Sequence, residues 1–303
     1  MRWDAIIVGG GPAGLSAALL LGRCRRRVLL FDDGHPRNWA ARRTHGFLTR
    51  DGATPAAIRR AGRREVAAYG VEIRDETVVK AHRRPGGGFA VRSEHGLHTA
   101  RSLILATGVE DELPDIAGAE RLYGRGVYHC PYCDGWEVRD QRLATLARGA
   151  VGVELAAGLT TWSRDVVLFT HGWNRFTRAQ RAELRALGVE LRTERIERLV
   201  GPRALRAVAL AGGDRVERDA LFFHGPARQR CGIAESLGCQ LDRAGRVVTG
   251  KLESVTPGFY VIGDASRDVQ FLIIAAAEGA KAAFDINRHL RREDCARRRH
   301  RVG

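Results

Sequence analysis

The chain has 303 residues, 44% apolar and 28% charged, a composition that excludes a disordered or fibrous protein and, by length, predicts two domains. Fifty basic against thirty-five acidic residues leave a formal charge of +15, yet only Lys80, Lys251 and Lys281 are lysines and the basic runs at 23–27 and 291–301 are short. No helix-turn-helix, finger or aromatic-basic module accompanies those runs, so they read as solvated surface and no nucleic-acid partner is expected. Six cysteines are too few for a secreted disulfide scaffold of this length. The first residues run straight into an apolar strand without a leader layout, and no apolar window of about 18 residues exists, so a cytoplasmic protein without membrane contact is expected.

The segment 4–22 reads strand, glycine turn, helix, and 27–33 is a second buried strand ending in acids. An amphipathic helix is predicted over 54–69, with Pro55 in its first turn. Shorter strand-like runs lead to 101–108. From about Pro114 the pattern restarts: 142–159 is again strand, turn, helix, and 165–172 again a strand. A strand at 259–265 and a helix over 270–290 close the chain. The fold class is therefore α/β, with two Rossmann-like three-layer domains, one inserted into the other: 1–113 with 242–303, and 114–241 between them.

Residues 9–14, GGGPAG, fit the pattern G-x-G-x-x-G after a strand and at the opening of a helix. Gly9 allows a tight turn, Gly11 lets backbone approach a pyrophosphate, and Gly14 lets helix pack on strand, with Pro12 and Ala13 between them. The helix N-terminus directs N–H groups and partial positive charge at phosphates. Asp32, 18 residues beyond Gly14, is placed to hold ribose hydroxyls, with Asp33 as its substitute. The second turn, 147–152, reads ARGAVG; its first glycine is Ala147, whose methyl is expected to strain a left-handed position and crowd the turn. After the next strand only Arg175 stands near as a candidate for a 2′-phosphate.

Cys130-Pro131-Tyr132-Cys133-Asp134 is the sharpest chemical feature. A C-x-x-C opening a helix sets two sulfurs within disulfide range and favours a thiolate, and Asp134 adds a proton carrier. Half of a zinc site and plain structural cysteines are the rival readings. Zinc needs two further ligands, and Cys231 and Cys239, eight apart, have an uncharacteristic spacing, so no metal is expected. His129 adjoins the pair as a further proton-handling candidate.

Over nearly its whole length the chain resembles the low-molecular-weight thioredoxin reductases, through GGGPAG (9–14), LILATG (103–108), CPYCDG (130–135) and PGFYVIGDA (257–265). The resemblance implies a homodimer with an FAD domain and an inserted pyridine-nucleotide domain carrying the redox pair. Gly9, Gly11, Gly14 and Asp32 would hold the ADP moiety of FAD, Thr107 and Gly108 would lie near it, and Gly263 and Asp264 would meet the ribityl chain. Cys133 would face the flavin, with Cys130 as interchange thiol and Asp134 as proton donor. Ala147 breaks the second glycine pattern, and the family's His-Arg-Arg-x-x-x-Arg run is absent from 170–176. Gln270-Phe271 stands where Arg-Gln is usual. These departures weigh against NADPH and bring the chain closer to the gliotoxin- and holomycin-type dithiol oxidases. The expected activity is FAD-dependent oxidation of a small dithiol, with dioxygen as acceptor. The alternatives are an NADPH-dependent reductase of a thioredoxin-like protein, a disulfide reductase with another electron donor, and a non-enzymatic flavin redox sensor.

Overall fold

The computed structural model describes residues 2–250, 254–267 and 269–302. The chain divides into two compact units, 1–39 with 46–110 and 227–303, and 40–45 with 111–226. The return boundary thus falls at 226/227 rather than 241/242. Between those positions Ile233 and Ala234, at 4% and 3% exposure, join the apolar core of the first unit, so burial assigns the segment there. The short segment 40–45 groups with the second unit, a detour that no hydrophobic period announces.

The first unit is built on a sheet in which strands 254–256, 259–261, 96–105, 2–8, 28–31 and 72–74 lie side by side. Strand Arg2–Val8 pairs in parallel on both sides, Ile7 standing opposite Leu30 and Ile104. Side chains alternate across the pleat, so each central strand feeds two cores. Ala5, Ile7, Leu30, Ile104 and Tyr260 face helices Pro12–Arg23 and Leu272–Val302 through Ala17, Leu21, Ala282, Ile286 and Leu290. Ile6, Val8, Leu29, Phe31, Leu103 and Leu105 face the opposite way, against Phe89 and Val91. Each Val, Leu, Ile or Phe among them contributes about 1.5–3 kcal/mol on burial, which makes the strand order around 2–8 hard to change.

The helix predicted over 54–69 runs Pro55–Ala67, and Thr54 caps it by accepting from the Ala57 amide at 3.1 Å. The final helix extends to Val302 rather than ending near 290. Arg101, 9% exposed at its side chain, holds Asp4 at 2.9 Å and Glu293 and Asp294 at 2.7 Å, and Arg26 meets Asp294 at 2.7 Å. The arginine-rich tail is thus tied down through its two acids.

The second unit repeats the plan. Its parallel sheet has the order 190–192, 166–169, 143–146, 220–223, 127–128, beside an antiparallel ribbon of 196–200, 207–210 and 215–217. Leu143, Val166, Leu168 and Phe222 face helices Gly149–Leu159 and Arg178–Ala186, while Leu146, Phe169, Leu221 and Phe223 face the ribbon. Among the described residues no helix is long and apolar enough to cross a membrane, and no group of three or more His, Cys, Asp or Glu side chains could hold a metal ion.

Candidate active site

In the first unit the turn between strand 2–8 and its helix has the close contacts that its glycines imply. Gly9 has φ +111°, and a methyl there would stand 2.2 Å from the Ala106 carbonyl oxygen. A methyl on Gly14 would stand 1.9 Å from the Gly9 carbonyl oxygen, so helix and strand approach as closely as backbone allows. Gly11 differs: nothing lies within 4 Å of the place a methyl would take. It is also the N-cap of the helix and offers no side-chain cap, so no capping side chain competes with a ligand for the first turn's donors. Gly108, at φ +64°, has the same open surroundings. Tight support behind and open space in front is the cradle that a dinucleotide's pyrophosphate requires, and these residues fit the ADP part of FAD.

Asp32 comes to the same turn; a methyl on Gly10 would lie 2.2 Å from its Oδ2. The carboxylate is buried, with Oδ1 accepting from the Gly34 amide at 3.1 Å. Oδ2 accepts from Arg59 Nη2 at 2.7 Å and Arg63 Nη1 at 2.9 Å. Sequence reasoning missed both arginines, although their i, i+4 spacing sets them on one helix face. Asp33 is half-exposed and turns back on the His35 amide at 3.0 Å.

Asp264 lies in the short turn Gly263–Ala265, where Arg37 Nη1 meets its Oδ2 at 2.9 Å and Gln270 Oε1 at 2.6 Å. Gly263 has φ +73°, and its amide donates to Glu278 Oε2 at 2.6 Å. Glu278 is buried and also accepts from Arg267 Nε at 2.5 Å. Arg37 and Glu278 therefore position the Asp264 turn, and no local motif marks either of them. Thr107 hydrogen-bonds Cys231, whose thiol is pushed up by burial; burial likewise pushes Cys239 up to about 11. Both pack against the first unit's core and are inert hydrophobes in effect.

In the second unit Cys130 and Cys133 form a disulfide with Cα atoms 5.3 Å apart. Cys130 is the N-cap of the single turn Pro131–Asp134, whose proline starts the helix without an amide donor. Tyr132, between the sulfurs, is 77% exposed, and its ring meets Trp162 edge-on at 5.6 Å. Burial, reinforced by Glu137, pushes Asp134 up to about 6, while His45 pulls it the other way. His45 Nε2 lies 3.4 Å from Glu137 Oε1, which explains what the detour of 40–45 delivers. His129 Nδ1 lies 2.9 Å from the Tyr123 hydroxyl. A cysteine pair, a carboxyl raised to about 6 and a histidine thus stand within six consecutive residues, 129–134.

The second glycine turn departs from expectation. Ala147 carries no left-handed strain, because the left-handed residue has moved two places on, to Gly149 at φ +59°. Its counterpart in the first turn, Gly11, has φ −76°. The backbone has a different course here, and the Trp173 ring lies 3.7 Å from where a methyl on Gly149 would stand. Trp173 packs edge-on against Phe176 at 4.7 Å. Arg175 is exposed. Sequence reasoning missed two other arginines: Arg195 and Arg148 both act on His171, whose pKa is lowered by burial and then by these two charges.

Comparison with known proteins accords with both halves of this description. Residues 3–279 match the family described as pyridine nucleotide-disulphide oxidoreductase. A probable thioredoxin reductase of Arthroderma benhamiae is 33% identical, covering 88% of this chain and 75% of its own. Thioredoxin reductase tcpT of Claviceps purpurea is 32% identical, with 86% of each chain covered. Among solved structures, HlmI is 37% identical with a TM-score of 0.94, covering 99% of this chain and 96% of its own. A putative thioredoxin reductase TrxB of Bacillus anthracis is 34% identical with a TM-score of 0.91, covering 96% and 99%. The chain belongs to the pyridine nucleotide-disulphide oxidoreductase family, as a thioredoxin-reductase-like, FAD-dependent oxidoreductase acting on sulfur groups.

Proposed function

We propose that the protein oxidises a small dithiol to its disulfide through Cys130 and Cys133, with dioxygen as electron acceptor, in the manner of the gliotoxin- and holomycin-type dithiol oxidases. The observation that carries this reading is the second glycine turn, with its left-handed residue at Gly149 and the Trp173 ring 3.7 Å from a methyl built there. A dinucleotide pyrophosphate needs backbone to come close at that point. An indole beside a turn of altered course argues for a domain that no longer presents NADPH.

In this reading Gly9, Gly11, Pro12, Ala13 and Gly14 hold the pyrophosphate of FAD, and Asp32, with Asp33 beside it, serves its ribose. Thr107, Gly108, Gly263, Asp264 and Gln270 meet the remainder of the cofactor. A substrate thiolate attacks Cys130 Sγ, forming a mixed disulfide and releasing Cys133 as thiolate. The second substrate thiol then displaces Cys130 and closes the substrate's own disulfide. His129 and Asp134 carry the protons. Bound FAD supplies the two-electron chemistry that restores the Cys130–Cys133 disulfide, with hydrogen peroxide as the product of dioxygen. A cytoplasmic homodimer is the assembly this reading expects.

NADPH-dependent reduction of a thioredoxin-like protein is the second reading, favoured by Arg148 and Arg195 beside His171, a charge pattern suited to an anionic ligand. Anaerobic mixing separates the two. The flavin band of the holoenzyme should stay at its oxidised intensity with NADPH and bleach with a dithiol, and Cys133→Ser should abolish the bleaching by dithiol. Rapid, complete bleaching at micromolar NADPH overturns the oxidase reading.

A further inference from the structure

The residue next to the interchange cysteine is held by a network that the motifs do not contain. Tyr123 is 9% exposed and follows the short helix Ala119–Leu122 as its C-cap. Its hydroxyl lies 2.9 Å from His129 Nδ1 and 3.4 Å from Asp111 Oδ2, and that same carboxylate oxygen lies 4.0 Å from Nδ1. Ring packing fixes the group: Tyr123 to His129 and Tyr123 to Phe223 are 6.1 Å between centroids, and His129 to Phe223 is 6.5 Å. Among the described residues, the Asp111 carboxylate, the Tyr123 hydroxyl and the apolar Phe223 ring lie against the imidazole, and Cys130 is next in the chain.

A carboxylate only accepts hydrogen bonds, whereas a phenol both donates and accepts. Beside Asp111 the Tyr123 proton is directed at the carboxylate, so the phenol oxygen is left to accept from an imidazole N–H at Nδ1. The orienting hydrogen bond on one ring nitrogen decides which nitrogen is basic. We propose that Tyr123 and Asp111 are positioning residues that hold His129 in its Nδ1–H tautomer, so that Nε2 takes the proton of the substrate thiol as it attacks Cys130. The inference rests on the thiol–disulfide interchange proposed above and adds the residues that prepare its base. In the step, the substrate S–H bond breaks and its proton passes to Nε2. The substrate sulfur bonds to Cys130 Sγ, the Cys130–Cys133 bond breaks, and Cys133 leaves with the electron pair as thiolate.

The experiment uses FAD-loaded enzyme mixed anaerobically with dithiothreitol across a pH series, in wild type, Tyr123→Phe, His129→Gln and the double variant. Tyr123→Phe should slow flavin bleaching about tenfold near neutral pH, less than the roughly hundredfold or more that loss of a general base costs, because the imidazole itself remains. The deficit should vanish at alkaline pH, where the substrate is already thiolate. The double variant should be no slower than His129→Gln, because both changes remove one function. A deficit that persists unchanged at alkaline pH, or that adds to that of His129→Gln, overturns the proposal. Nitrogen-15 spectra of histidine-labelled holoenzyme give a readout independent of turnover. The His129 signal, assigned with His129→Gln, should report the Nδ1–H tautomer in wild type and lose that preference in Tyr123→Phe. An Nε2–H tautomer in wild type overturns the proposal. Wild type that ignores dithiol while holding the Nδ1–H tautomer counts against the oxidase reading alone.

Discussion

Asp134 offers the sharpest test of the electrostatics around the disulfide. Its carboxyl rises from 3.8 to about 6, first through burial and then through Glu137. At about 1.4 kcal/mol per tenfold change in proton affinity, that rise corresponds to about 3 kcal/mol at most. The native state holds this proton more tightly than the unfolded chain, so it binds more protons between the two values. Stability conferred by the neutral carboxyl is therefore fully present below 3.8 and is lost as pH rises through about 6. Asp134→Asn keeps the shape and removes the ionisation. It should match wild type near the acid end of the range and become more stable above about pH 6, by up to about 3 kcal/mol. Urea midpoints of the oxidised protein, taken across the range, measure the difference. The same variant should slow dithiol-driven bleaching, since it cannot exchange a proton near Cys133. A stability difference that does not vary with pH, or an Asn variant less stable than wild type near neutrality, would show that the Asp134 carboxyl is not raised by its burial.

Two further substitutions examine the cofactor side. Gly11→Ala meets no atom within 4 Å and sits at φ −76°, so folding should survive with about 1 kcal/mol lost at the N-cap. Flavin retention in equilibrium dialysis should nonetheless fall at least about tenfold, because the methyl enters the space kept for the pyrophosphate; unchanged retention would move the cofactor elsewhere. Glu278→Ala removes the acceptor of the Gly263 amide and the partner of Arg267, and should cost about 2–4 kcal/mol with loss of flavin, read by thermal unfolding and the visible spectrum. A variant that stays yellow and stable would show that Glu278 does not support the Asp264 turn.

The local features of this protein were legible from its residues. Strand–turn–helix units at 2–23 and 143–159, the C-x-x-C turn and the acid after the second strand follow from the hydrophobic period, glycine sterics and short-range capping, which act over a few neighbouring residues. Partners distant in the chain leave no such local mark. Arg59 and Arg63 on Asp32, Arg37 on Asp264 and Glu278 under Gly263 are side-chain pairings separated by 15 to 227 residues. The final helix overran its expected end because Arg26 and Arg101 hold Asp294, contacts that no helical period encodes. At Ala147 the rule that alanine resists a left-handed turn was sound, but tertiary packing moved the turn to Gly149 and set Trp173 against it. Composition and motif thus determined the family chemistry, a dithiol pair in an inserted domain and a dinucleotide cradle. Only the folded chain decided which charges neutralise, protonate and orient those groups, because electrostatics and packing depend on distance in space rather than on distance along the sequence.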